Sequence, residues 1–319
     1  MIHTRGLARS FKAKKTTVEA VKGVDIDVNE GELVAFLGPN GAGKSTTLRM
    51  LTTLLRPTRG SARVAGHDVL TDPLKVRQNI GYIGQGNSAG HAHRVLDELV
   101  SQGSFYGMPR AKARVRGTEL LAALDLSDLA KRAGMTLSGG QRRRVDIALG
   151  MMHHPRLLFL DEPSTGLDPQ NRANLADEIR RLRSEFGMTI FLTTHYLEEA
   201  DQLAERVLII DHGAVIASGT PSELKATLAG DRIDLGFAEA DTAATAAARC
   251  EGFAGVKEVT LTGTRLNLAV GEGESTLPRL LRHLDADGIT VTTANVHIPT
   301  LDDVFLALTG RTLRDEDEG

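Results

Sequence analysis

Along roughly the first 220 residues, short continuous apolar runs alternate with stretches of helical spacing. Glu32-Leu33-Val34-Ala35-Phe36-Leu37 is a β-rich run that stops at a glycine, and from Thr46 to Leu55 the residues Leu48, Leu51 and Leu55 recur on one helical face. Leu157–Leu160, Thr189–Leu192 and Val207–Ile210 repeat the continuous apolar pattern. Strands that are apolar on both faces and separated by helices predict an α/β class with a parallel sheet covered on both sides. Between about Gly86 and Gly150 the strand pattern stops and the spacing turns almost wholly helical, which predicts an inserted helical subdomain. After Pro221 the texture changes again. Residues near 231–237, 256–260, 265–270 and 289–294 read as strands, and those near 240–250, 276–287 and 300–309 as helices. That order predicts a small α+β, ferredoxin-like domain. We expect domains over 1–229 and 230–310 and an acidic tail over 311–319.

Composition narrows the classes. With 41 % hydrophobic and 25 % charged residues in 319, the chain is globular rather than disordered. A net charge of −3 argues against coating nucleic acid by bulk electrostatics, and no nucleic-acid partner is expected. The single cysteine, Cys250, excludes an internal disulfide or a Cys-rich metal cluster and reads as a small buried hydrophobe. His91 with His93, and His153 with His154, lack Cys or acidic partners at ligand spacing, so neither pair reads as a metal site. No apolar stretch approaches the roughly 18 residues of a membrane span, and Met1-Ile2-His3-Thr4-Arg5 lacks the core of a signal peptide. The expectation is a cytoplasmic chain whose membrane part, if there is one, is another polypeptide.

Chemistry enters with Gly38-Pro39-Asn40-Gly41-Ala42-Gly43-Lys44-Ser45-Thr46, which follows a buried strand and opens a helix. It matches the phosphate-loop pattern G-x-x-x-x-G-K-[ST], in which glycines turn successive amides inward around anionic oxygens. The helix N-terminus adds its positive end. In that arrangement Lys44 reaches the β- and γ-phosphates and the Ser45 hydroxyl ligates Mg²⁺. Leu157-Leu158-Phe159-Leu160-Asp161-Glu162 delivers two acids from a second strand. Asp161 is placed to hold Mg²⁺, and Glu162, one residue on, to polarise a water against the γ-phosphate. These two segments together predict a nucleoside triphosphatase.

Leu137-Ser138-Gly139-Gly140-Gln141 resembles the signature of the ATP-binding cassette (ABC) family. The resemblance implies a phosphate-loop ATPase built of a parallel core sheet, an antiparallel β subdomain and a helical insert. It implies that ATP and Mg²⁺ bind between two copies of the chain, with Ser138, Gly139, Gly140 and Gln141 completing the site of the opposite copy. Gln85 matches the loop that senses Mg²⁺ and the attacking water, Asp168 the loop that communicates across the dimer, and His195 the switch histidine on the γ-phosphate. Phe11 matches the aromatic position that stacks on adenine. The run Arg142-Arg143-Arg144 reads as a solvated helix face.

Toward the end, Pro299-Thr300-Leu301-Asp302-Asp303-Val304-Phe305-Leu306-Ala307-Leu308 resembles the close of the ATPase subunits of daunorubicin-resistance-type multidrug exporters. At helical spacing Leu301, Val304, Phe305 and Leu308 share one face. The resemblance implies a separately encoded ABC-2-type permease in the cell membrane, with the chain peripheral on its inner face. Asn87, Ser88, Phe105 and Tyr106 are candidates for the groove that receives the permease. Export of lipid or polysaccharide is the nearest alternative. A soluble ABC ATPase acting on DNA, ribosomes or iron–sulfur assembly fits less well, because the cassette is single and uninterrupted.

Overall fold

The apolar runs become the centre of a six-stranded sheet in the computed structural model, which describes residues 1–13, 16–86, 92–228 and 230–310. The strand order is Ala214–Gly219, Arg206–Asp211, Leu33–Leu37, Thr189–Thr194, Leu157–Asp161, Ile80–Ile83. The first pair is antiparallel and the remaining four pairings are parallel. Every residue of Leu33–Leu37, Leu157–Asp161 and Thr189–Thr194 is buried, as continuous apolar strands require. The five parallel strands end at one edge, so Gly38, Gly84, Glu162 and His195 all leave the sheet there.

A second, antiparallel sheet lies over the first. Ile2–Ala13 pairs with Thr16–Val24 and Asp27–Val28 and also with Arg59–Val64, which continues to His67–Asp68. Its inward residues Ile2, Leu7, Val21 and Val64 share one core with Phe36, Leu48, Phe159 and Phe191. Thr16–Val24 is exposed along its first four residues, and a strand so wetted gives no apolar run to read. The insert holds helices Val95–Phe105, Arg110–Ala123 and Gly139–Met151.

The second unit begins at Ser222. Its four strands, Asp231–Gly236, Val256–Thr262, Arg265–Val270 and Thr293–His297, are antiparallel in the order 2-3-1-4, the ferredoxin-like arrangement. Helices Ala240–Cys250 and Gly273–Ala286 supply Ala243, Ala246, Leu280 and Leu284 to the core beneath them. Cys250 is fully buried there, and burial pushes its thiol up to about 11. The last strand starts at Thr293 rather than near 289, because the Ile289 amide bonds back to Leu284 and its side chain plugs the core. The closing helix, Leu301–Thr309, is held by a capping box between Thr300 and Asp303. Leu301, Val304 and Phe305 are buried, whereas Leu308, expected on the same face, is exposed in the last turn before Gly310.

Phe191 lies between Phe36 and Phe159, with ring centroids 5.6 and 5.8 Å away, and is fully buried. Phe191→Ala is expected to lower stability by about 3–5 kcal/mol through lost packing and a cavity, read from urea unfolding.

Candidate functional site

At the C-terminal edge of the parallel sheet the chain leaves Leu37, turns through residues 38–43 and re-enters as helix Lys44–Leu51. Gly43 caps that helix at φ 105°, and a Cβ there would lie 2.6 Å from the Ala20 carbonyl oxygen. A Cβ on Gly38 would lie 2.2 Å from the Ile210 carbonyl oxygen. The loop is pressed between the antiparallel layer and the neighbouring strand, and only glycine fits at either point. Pro39 and Ala42 are buried, Asn40 and Gly41 exposed, and Thr46 half-buried.

Lys44, only 4 % exposed, folds back into this loop. Its Nζ donates to Gly38 O at 2.7 Å and Pro39 O at 3.0 Å, and pairs with Glu162 Oε1 at 3.2 Å. Ser45 Oγ donates to Asp161 Oδ1 at 3.0 Å, and Thr193 Oγ1 donates to the same oxygen at 2.8 Å. These hydroxyls satisfy a carboxylate that is 1 % exposed. Their chemistry fits a hard divalent cation. In an octahedral shell at about 2.1 Å, adjacent oxygens sit about 3 Å apart, the separation of Ser45 Oγ from Asp161 Oδ1. Gln85, the third expected ligand, is exposed, and no hydrogen bond among the described residues joins it to that pair.

Glu162 does not continue the strand. Its φ of 47° is left-handed, and its amide is held by Thr193 O at 3.1 Å and Thr193 Oγ1 at 3.0 Å. That reversal brings its carboxylate between Lys44 and His195, whose Nδ1 lies 3.5 Å from Oε2. The His195 ring, and then the Lys44 charge, outweigh burial and hold the Glu162 carboxyl down to about 2. Lys44, Ser45, Asp161, Glu162 and His195 thus form one cluster.

A second group forms around the start of helix Gly139–Met151. Ser138 caps it, accepting the Gln141 amide at 3.3 Å while the Gln141 side chain accepts the Ser138 amide at 3.0 Å. Ser138 and Gly139 are exposed, and the first amides of a helix have no partner inside it. The residue-164–168 loop adjoins them: a Cβ on Gly140 would meet Asn171 Oδ1 at 2.7 Å, and Leu167 faces Gly139. Asp168 caps the following helix, with Oδ1 accepting the Asn171 amide at 2.8 Å. Phe11 stands apart on the antiparallel sheet, 40 % exposed, with the Arg9 guanidinium 4.7 Å above its ring.

Two family models match the chain: ABC transporter over residues 21–165, and the C-terminal domain of DrrA1-3-like ATP-binding proteins over 219–309. The daunorubicin/doxorubicin resistance ATP-binding protein DrrA of Streptomyces peucetius is 43 % identical over 97 % of this chain and 92 % of its own length. The chain belongs to the ABC transporter ATP-binding family. The linearmycin resistance ATP-binding protein LnrL of Bacillus subtilis is 35 % identical over 99 % of this chain and the whole of that protein. Among solved structures, the ATP-binding cassette MJ0796, seen as a dimer in a post-hydrolysis state with ADP and Pi, superposes with a TM-score of 0.62 at 27 % identity. That match covers 69 % of this chain and 98 % of the other. The chain is therefore a nucleotide-binding ABC transporter ATPase.

The cassette corrects one reading and adds residues that the motifs did not single out. Arg142–Arg144 is not a solvated face: Arg143 is 7 % exposed, and Arg142 and Arg144 are half-buried, donating to Leu137 O at 3.3 Å and Leu124 O at 3.2 Å. The helix lies in the insert with neighbours on both sides, so side chains that look polar in sequence serve backbone carbonyls. Thr193 was hidden as one more strand residue, yet it holds both Asp161 and Glu162. His153 donates Nε2–H to Ile80 O at 2.8 Å and stacks on Tyr106 at 3.8 Å. Asn87, Ser88, His91 and the 311–319 tail lie outside the described residues.

The Glu162 pKa of about 2 lies below its ordinary 4.5, so the ionised group stabilises the fold fully above about 4.5 and loses that effect as pH falls toward 2. Glu162→Gln is expected to be less stable than the wild type at neutral pH. That gap should close between about pH 4.5 and pH 2 in acid-unfolding curves.

Proposed function

We propose that the chain hydrolyses MgATP as a head-to-tail pair with a second copy and thereby drives efflux of a drug or antibiotic through a separately encoded membrane permease. The observation that carries the reading is the division of the chemistry into two groups on one chain. Lys44, Ser45, Asp161, Glu162 and His195 make one cluster, and Ser138, Gly139, Gly140 and Asp168 another, built around an exposed helix start.

On this reading the amides of Gly38–Gly43 and the Lys44 ammonium receive the β- and γ-phosphates, and Thr46 continues the helix start behind them. Phe11 stacks on the base. Ser45, Asp161 and Gln85 hold Mg²⁺, which when bound offsets negative charge on the phosphate oxygens. A phosphate entering the loop competes with Glu162 for Lys44 and leaves the Glu162 carboxylate available to take a proton from water. His195 and Gln85 orient that water, and Ser138, Gly139, Gly140, Gln141 and Asp168 of the second copy close the far side. Loss of the γ-phosphate removes the bridge, so hydrolysis reopens the pair.

No helix among the described residues is long and apolar enough to cross a membrane. Attachment to the inner face of the membrane then comes through the permease. Leu54, Leu74, Phe105 and Tyr106 are exposed apolar side chains, and Leu54 and Tyr106 line a groove with Arg77, Gln102, Leu149 and His153. We assign that groove and Phe105 to permease docking. The drug cargo is favoured by the names of the relatives.

Glu162→Gln should lower kcat by about a hundredfold or more and retain ATP affinity, so that a dimer accumulates with MgATP in size-exclusion chromatography. Gly139→Asp should bind ATP as a single copy and form no such dimer; ATP-dependent pairing of that variant would refute the shared site. Phe105→Asp should keep ATP binding but lose co-purification with the permease, and intact co-purification would remove Phe105 from docking.

A further inference from the structure

Arg143 lies in the second turn of the helix that Ser138 opens, yet its guanidinium is turned into the sheet edge. Nη1 donates to Gly84 O at 2.7 Å, and Nη2 reaches Asp161 O at 3.5 Å. Those carbonyls end two adjacent parallel strands, Ile80–Ile83 and Leu157–Asp161. One belongs to the peptide that joins Gly84 to Gln85 and the other to the peptide that joins Asp161 to Glu162. The second peptide is gripped from its other side by Thr193, and it sets the left-handed turn of Glu162. Arg143 therefore touches the two peptide planes from which Gln85 and Glu162 hang, without touching either side chain.

The packing makes this linkage stiff. A Cβ on Gly81 would lie 2.5 Å from the Gly150 carbonyl oxygen, so the helix rides directly on the strand that delivers Gly84. Burial disfavours the charge on Arg143, and the nearby carboxylates of Asp146, Asp161 and Glu199 offset only part of that cost. A planar guanidinium holds its donors apart in a fixed fork, so it spans two separated carbonyls, whereas an ammonium gathers its three donors at one point.

We propose that Arg143 is a positioning residue for hydrolysis: it ties the helix that begins at Ser138 to the peptides carrying Gln85 and Glu162. Engagement of Ser138 and Gly139 by the nucleotide of the second copy then sets the water-activating groups of the chain's own site. The inference rests on the roles proposed above for Ser138, Gln85 and Glu162. Arg143 contacts no substrate, so it acts on turnover and leaves nucleotide binding alone.

The test is steady-state ATPase and fluorescent-nucleotide binding on the full chain with Arg143→Lys, Arg143→Gln, Gln85→Ala and the double variant Arg143→Lys/Gln85→Ala. Arg143→Lys keeps the charge but loses the fork, and it should lower kcat about tenfold with the Kd for ATP within about twofold of wild type. The double variant should lose less than the product of the two single losses, since part of the Arg143 effect passes through Gln85. Unchanged kcat in Arg143→Lys, a parallel loss of affinity, or losses that multiply in the double variant would each overturn the inference. Should Arg143→Gln fail to fold, Arg143→Lys decides. An inert Gln85→Ala would overturn the role given to Gln85 and leave Arg143 judged by the kcat and Kd of its own variants.

Discussion

The architecture depends on one constraint: the chain must turn from a buried strand into a helix through a loop that is confined on two sides. A turn that tight requires glycine wherever a side chain would collide. Gly43 lies against Ala20 of the antiparallel layer and Gly38 against Ile210 of the next strand. The Gly213 amide bonds to Ala42 O, and the Lys22 amide bonds to Gly213 O, so both flanks are tied to the loop by hydrogen bonds. The antiparallel sheet is therefore the outer wall of this loop as well as the platform for Phe11.

Charge at this edge is arranged by strand ends. Four parallel strands release Lys44, Gln85, Glu162 and His195 within one region, and each charged group there is compensated by a neighbour on a different strand. Asp161 takes hydroxyls from Ser45 and Thr193, and Arg143 serves the carbonyls behind them. A change at Lys44, Asp161 or Arg143 is felt by its neighbours, because these side chains are closed to water and the lost partner is not replaced.

Much of this was legible in the sequence, for identifiable reasons. The strand–loop–helix around Lys44 and the apolar run ending in Asp161 and Glu162 announce themselves because buried strands carry no polar interruption. The element order of the second unit, β-α-β-β-α-β with a closing helix, is legible from alternating periods, whereas the pairing order in its sheet comes from the structure. Residues whose burial comes from tertiary packing alone were hidden. Arg143 sits in a run of three arginines, the usual mark of a wetted face, yet it is 7 % exposed because its guanidinium turns to the Gly84 carbonyl at the sheet edge. Leu308 erred in the opposite sense: its helical phase was right, but the helix ends before that position is covered. Glu162 is legible as the acid after Asp161, but its direction is not, because a left-handed backbone at that residue aims it.

The Lys44–Glu162 pair has a further consequence. On the roles proposed above, the lysine that receives the triphosphate is the same one that holds the proton acceptor. The two duties are mutually exclusive at one ammonium, so the anion that draws the cation away is also what frees the carboxylate.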